Sequence, residues 1–268
     1  MTQAPSTLDW NLHKAAIWRP KRGYLKPVTR LDAISLDHLK KIERQKSLII
    51  ENTERFLAGK PANNALLWGA RGTGKSSLVK ALLNQYADQG LRVIEIDKAD
   101  LVDLPEIVDQ IMDSKYRFIV FCDDLSFDAD ENTYKHLKSV LEGSIELPPE
   151  NVLLYATSNR RHLIPQTQRD NQETLSARMA DPEVHYSDTV EEKLSLADRF
   201  GLWLSFYPIT WQEYLDMIDV LFAESIAEGA CDRDDIHTQA KLFARTRGTN
   251  SARTAKQFYQ AVINKSHE

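Results

Sequence analysis

Apolar positions along the chain alternate between two spacings as far as Pro208 and keep only one of them afterwards. Five short runs, at 64–68, 92–96, 118–122, 151–156 and 202–206, are continuous or nearly so. Runs of that length suit strands covered on both faces of a parallel sheet. Between them apolar residues recur every three or four positions: Leu39, Ile42, Ile49 and Phe56; Leu78, Val79, Leu82, Leu83 and Tyr86; Leu104, Ile107, Val108 and Ile111. These predict helices, the first capped by Ser35 or Asp37 and ended by Gly59 and Pro61. Similar helical patterns cover 132–141 and 190–196, while 160–188 is polar and irregular, with Pro165 and Pro182. A connection that long is more often functional than passive. After Pro208 the pattern is purely helical, through Trp211, Tyr214, Leu215, Ile218, Leu221 and Phe222, then Ile236, Ala240 and Phe243, then Ala255, Phe258, Tyr259 and Val262. Alternating strand and helix followed by helices alone predicts an α/β fold: a five-stranded parallel sheet flanked by helices over 35–208, then a small all-α lid domain over 209–268.

The first strand feeds Gly69-Ala70-Arg71-Gly72-Thr73-Gly74-Lys75-Ser76-Ser77. Gly69, Gly74, Lys75 and Ser76 stand at the G-x-x-x-x-G-K-[ST] spacing of a phosphate-binding loop. The physics is local. Glycines let the backbone turn tightly with its amides inward, and the start of the next helix adds partial positive charge for phosphate oxygens. Lys75 would meet the β- and γ-phosphates and the Ser76 hydroxyl a Mg²⁺ ion. The residues from Gly69 to Ser77 are therefore the candidate nucleotide-binding set. No N-K-x-D guanine motif occurs, which favours ATP.

Phosphoryl transfer also needs an acid beside the metal and a group to handle water. Asp123 closes the apolar run 118–122 and is the candidate second Mg²⁺ ligand; Asp124 follows it as candidate general base. Asn159 ends the fourth run, where a neutral amide can hydrogen-bond γ-phosphate and water without opposing their charge.

Charge adds one further feature. The net charge is −5, yet residues 1–30 carry Lys14, Arg19, Lys21, Arg22, Lys26 and Arg30 against Asp9 alone. Residues 1–34 thus read as a basic N-terminal arm over an acidic body, dispensable for nucleotide binding and suited to recruiting a partner. Trp10, Trp18 and Tyr24 offer it aromatic surfaces for stacking. The acidic body favours a protein partner over nucleic acid, although nucleic acid stays open. Cys122 and Cys231 form no C-x-x-C pair and read as reduced thiols. The absence of a long apolar run or a signal-peptide core predicts a cytoplasmic protein with no membrane partner.

The loop, the strand-borne Asp123-Asp124, Asn159 and the helical tail together resemble an AAA+ ATPase. The chain is most similar to a bacterial group catalogued as domain of unknown function 815, through Phe56 to Ala81, Phe118 to Phe127, Ala156 to Pro165 and Ser195 to Leu204. The resemblance implies that Lys75 and Ser76 are Walker A residues, Asp123 and Asp124 Walker B, and Asn159 sensor 1. Arg199 is placed like an arginine finger acting on a neighbouring subunit, which implies a homo-oligomer, with Arg160, Arg161 and Arg178 as rivals. Arg253 is placed like the sensor-2 arginine. Arginine suits both places, since it stays charged and presents a planar fork. AAA+ enzymes usually carry Glu where Asp124 stands. The shorter side chain implies slow hydrolysis, because a shift of about 1 Å can cost a hundredfold in rate. ATP and Mg²⁺ are the implied cofactors. Partner remodelling by an ATPase, an ATP-gated switch that barely hydrolyses, a helicase loader and a small-molecule kinase are the functions open at this point.

Overall fold

The computed structural model describes residues 8–125, 149–159 and 200–266. The chain divides into two compact units, Met1–Trp68 with Ser76–Leu204, and Gly69–Lys75 with Ser205–Glu268.

The first unit is organised by a sheet. In chain order the strands are β1 (Ala15–Arg19), β2 (Tyr24–Pro27), β3 (Ala65–Gly69), β4 (Leu91–Ile96), β5 (Arg117–Cys122), β6 (Val152–Ser158) and β7 (Leu202–Phe206), the last residue of β3 and the last two of β7 being counted in the second unit; the strand order is β2-β1-β4-β5-β6-β3-β7. Neighbouring pairs from β1 to β3 in that order run parallel, and only β1 with β2 is antiparallel among the pairs with a described register. The apolar runs are buried as their continuity requires: Ala65, Leu66 and Leu67 on β3 and Phe118, Ile119 and Val120 on β5 have no exposed surface. Against the sheet lie α1 (Glu43–Leu57), α2 (Lys75–Tyr86) and α3 (Leu104–Asp109). Cys122 pairs in register with Ala156 and Trp68 with Ser158, so β5, β6 and β3 end nearly flush. Carboxyl ends of parallel strands are where such sheets bind ligands.

Two expectations need correction. The sheet has seven strands, because the basic arm contributes two. Ala15 pairs with Val93 of β4, and Trp18 faces Leu25 across the hairpin. The reason is apolar burial: Ala16, Trp18 and Leu25 point into the core, while Lys21 and Arg22 sit on the exposed hairpin turn. Trp10 meets Phe118 edge-on at 4.9 Å, and Trp18 Nε1 donates to Asp103 Oδ2 at 2.9 Å. Trp10 and Trp18 are core anchors, not a stacking surface, while Tyr24 is partly buried. The first helix also starts later than Ser35 or Asp37 implies. A 3-10 turn covers Leu36–His38, and Lys41, at φ 66°, breaks the path before α1 begins at Glu43. The helices expected over 132–141 and 190–196 lie outside the described residues.

The second unit holds four described helices where three were expected: α4 (Trp211–Leu221), α5 (Ala223–Ala227), α6 (Arg233–Thr246) and α7 (Ala252–Ser266). Thr210 starts α4 with a capping box, its Oγ1 accepting from Glu213 N at 3.2 Å while Glu213 Oε2 accepts from Thr210 N at 2.8 Å. Tyr214, Ile218, Phe222, Ile236 and Phe258 fill the core, and Ala240, Ala244 and Ala255 leave room for close helix approach. No described helix is long and apolar enough to cross a membrane.

Trp18 is 4% exposed, so Trp18→Ala removes a core anchor and should cost about 3–5 kcal/mol. Lys21→Ala, on the exposed turn, should stay within about 0.5 kcal/mol of wild type. Urea unfolding compares the two directly; equal midpoints would return β1 to the status of a surface arm.

Candidate functional site

The first unit gathers four of the candidate residues at the ends of β5 and β6. Asp123 and Asp124 directly follow β5, and Asn159 directly follows β6. Ser76, in the first turn of α2, donates its hydroxyl to Asp123 Oδ1 at 2.7 Å. Thr157 Oγ1 donates to the same oxygen at 2.5 Å and accepts from the Asp124 backbone N–H at 2.9 Å. Asn159 Nδ2 donates to Asp124 Oδ1 at 2.5 Å. The five residues thus form one hydrogen-bonded path, Ser76 to Asp123 to Thr157 to Asp124 to Asn159, which passes through the Asp124 backbone N–H. Two adjacent carboxylates repel each other, and each hydrogen bond donated to them lowers that cost.

Asp124 has φ 55°, left-handed backbone that aspartate tolerates better than most residues but still at a cost. Its N–H bond to Thr157 and its carboxylate bond to Asn159 hold it there. Thr157, one residue past the apolar run 151–156, is a site residue that the apolar pattern does not mark. The signal lay in register: with Cys122 opposite Ala156, residue 157 comes level with Asp123. Next to these acids the Cys122 thiol is held protonated, pushed far up by burial and further by the charges of Asp97 and Asp123.

The second unit contains the glycine loop. Gly69 has φ 134°, and a Cβ there would stand 1.9 Å from the Phe206 carbonyl oxygen, so β7 admits only glycine at that point. Gly72, at φ 75°, would place a Cβ 2.7 Å from Ser251 Oγ and 3.6 Å from Arg253 Cβ. Lys75 is buried, its Nζ donating to Gly69 O at 2.9 Å and Ala70 O at 2.7 Å. Thr73 Oγ1 also donates to Ala70 O, at 2.8 Å. Arg71, Gly72, Ser251, Arg253 and Thr254 border a cleft of about 470 Å³. Gly74, at φ 96°, completes the turn into α2. Ser77, on α2, is partly buried. Arg199 and its rivals Arg160, Arg161 and Arg178 lie outside the described residues.

The donor set suits a hard cation: a hydroxyl and a carboxylate share a hydrogen bond at Ser76 and Asp123, and the nearby thiol stays protonated. Among the described residues no three His, Cys, Asp or Glu side chains gather into a metal cluster. A hydroxyl and a carboxylate oxygen are donors of the kind that Mg²⁺ takes, one or two at a time, beside substrate phosphates.

Residues 11–266 match the family described as Protein of unknown function (DUF815). Among solved structures, three single-residue variants of Thermotoga maritima RuvB superpose with TM-scores of 0.52 each. Identity is 16%, 14% and 17%, and the matches cover 86%, 86% and 87% of this chain. The chain spans about 65% of the length of those solved chains (65%, 65% and 66%). No curated protein matches the sequence. The fold is accordingly the RuvB-like AAA+ P-loop fold, a mostly parallel sheet with a C-terminal helical region.

Thr157→Val keeps the shape of the side chain but removes both of its hydrogen bonds, so it should cost about 1–3 kcal/mol. Thr157→Ser should recover most of the loss. Denaturant unfolding of both variants checks this, and identical stability of Val and Ser would show that the hydroxyl does not brace the acids.

Proposed function

The chain belongs to the DUF815 family, and on that premise, joined to its AAA+ fold, we propose that it is a Mg²⁺-dependent ATPase. The observation that carries the reading is the shared oxygen: Ser76 Oγ and Thr157 Oγ1 both donate to Asp123 Oδ1. Ser76 and Asp123 would hold Mg²⁺, which supplies neutralisation of charge on the phosphates when bound. The Lys75 ammonium and the amides from Gly69 to Ser77 bind the β- and γ-phosphates, and Arg253 adds charge at the terminal one. Asp124 takes a proton from water as its oxygen attacks the γ-phosphorus. The bond to the β–γ bridging oxygen breaks, and ADP and phosphate result. Asn159 orients the water and Asp124 together. Arg199 acts on the γ-phosphate of a neighbouring copy, so the working form is a homo-oligomer. Residues 35–208 are the nucleotide-binding domain, and the helices of 209–268 respond to nucleotide state and pass it to a protein partner in the cytoplasm. Remodelling of nucleic acid is the less favoured output, since the chain as a whole is acidic.

A second reading, an ATP-gated switch with little turnover, is favoured by one contact. Asp124 Oδ1 already accepts from Asn159 at 2.5 Å, so the proposed base is engaged before any water reaches it.

Phosphate release from ATP, measured over a wide protein-concentration range with Mg²⁺ or with chelator, separates these. Wild type should turn over only with Mg²⁺, at a specific activity that rises with concentration and is lost in Arg199→Ala. Asp124→Asn should keep ATP binding and lose at least about a hundredfold in kcat. Lys75→Ala should lose binding itself. Tight ATP binding with no phosphate release would establish the switch instead, and no ATP binding by wild type would end both readings.

A further inference from the structure

The hairpin of β1 and β2 sorts its side chains by charge as well as by burial. Its register sets Trp18 opposite Leu25 on the buried face, and Arg19 opposite Tyr24 and Ile17 opposite Lys26 on the other. Arg19 and Lys26 are exposed there, and Lys21 and Arg22 are exposed on the 3-10 turn that joins the strands. Tyr24 and Ile17, both partly buried, complete the face. Arg19 and Lys26 form a cross-strand diagonal, which spans about 7–8 Å. The sequence has no acid between Asp9 and Asp32, and Glu95, level with Ile17 on β4, bounds the face on its inner side.

Nearby cations of the first unit are given an acid: Lys14 Nζ lies 2.9 Å from Asp88 Oδ1, and Lys80 Nζ lies 3.6 Å from Asp32 Oδ2. The hairpin differs. Among the described residues the side chains of Arg19, Lys21, Arg22 and Lys26 have no hydrogen bond and no ion pair. Folding does not call for their charge, because Trp18 bonded to Asp103 and Trp10 against Phe118 already anchor this part of the chain. Lys26 and Pro27 suit an edge strand, where charge and proline discourage pairing with another chain. That reason does not reach Arg19, since β1 is paired on both sides. Nor does it reach Lys21 and Arg22 on the turn. The cations are therefore carried on a backbone fixed by core packing, with their side chains open to a partner.

We propose that this face docks an extended acidic segment of a partner protein, with Glu or Asp at alternate positions. In taking the partner to be a protein, this rests on the reading above. Alternate side chains of an extended chain repeat at about 6.6–6.8 Å, close to the diagonal from Arg19 to Lys26, so successive carboxylates each meet a cation. Lys21 and Arg22 receive the next acid at the turn, and Tyr24 and Ile17 give apolar contact between the charges. Nucleic acid fits less well. Single strands bind by stacking on aromatic faces, but Trp10 and Trp18 are in the core and Tyr24 is partly buried. The chain's net charge of −5 also opposes a polyphosphate. β2 offers four residues and ends in Pro27, which has no N–H, so side chains rather than an added strand carry the contact.

Fluorescence anisotropy of the full chain at low salt tests this, with a labelled peptide of alternating glutamate and threonine and a labelled oligothymidylate of equal charge as probes. The variants are Arg19→Gln with Lys26→Gln, Lys21→Gln with Arg22→Gln, and a control of equal charge loss on α6, Lys241→Gln with Arg245→Gln, both of which are exposed. Wild type should bind the peptide more tightly than the oligothymidylate. Each hairpin variant should bind the peptide about fivefold or more weakly at an unchanged melting temperature, while the control stays within about twofold. An equal loss in the control would overturn the proposal by reducing the effect to bulk charge. So would wild type that does not bind the peptide, or that binds the oligothymidylate more tightly and loses it in the hairpin variants. Peptide binding lost only in the hairpin variants, by a chain that releases no phosphate from ATP, would keep this face and remove the ATPase reading.

Discussion

Two neighbouring carboxylates at the end of a buried strand must be held apart from each other's charge, and the first unit is arranged to do so. Asp123 and Asp124 follow a β5 whose central residues have no exposed surface. Thr157 answers with one hydroxyl, giving its proton to Asp123 and accepting the N–H of Asp124. Ser76 and Asn159 close the two ends of the path. The flush ending of β5 and β6 makes this possible, and that ending is fixed by the register of two apolar strands. Packing of the sheet thus sets the electrostatics of the acids.

The loop depends on a different constraint, closeness of backbone. Gly69 lies against the Phe206 carbonyl and Gly72 against Ser251, each too near for a side chain. Both contacts belong to the unit that also contains the C-terminal helices. A change in the loop's path therefore bears directly on the first turn of α7, where Arg253 sits. The coupling is steric, and it needs no long pathway.

What was legible in the sequence was chemistry carried by neighbours in the chain. The glycine spacing before Lys75-Ser76 and the acids closing an apolar run both announce themselves within ten residues. Thr157 did not, because its role depends on β5 lying level with β6, a pairing between segments about thirty residues apart. The hairpin of β1 and β2 was hidden for a related reason. Its charged residues dominate any local count, while the burial of Ala16, Trp18 and Leu25 follows from the docking of β1 onto β4, far along the chain, with β2 paired to β1. Lys41 shows a third limit: nothing in its side chain marks it for left-handed backbone, yet there the expected helix start fails.

We propose that Asp123, held by Ser76 and Thr157, is together with Ser76 a protein ligand of a nucleotide-dependent divalent cation. Electron paramagnetic resonance of Mn²⁺ titrated into the protein with and without ATP reads that claim directly. Wild type should bind one Mn²⁺ tightly only when ATP is present, and Asp123→Asn should lose that signal while still binding the nucleotide through Lys75. Equal Mn²⁺ binding by wild type and Asp123→Asn in the presence of ATP would contradict it.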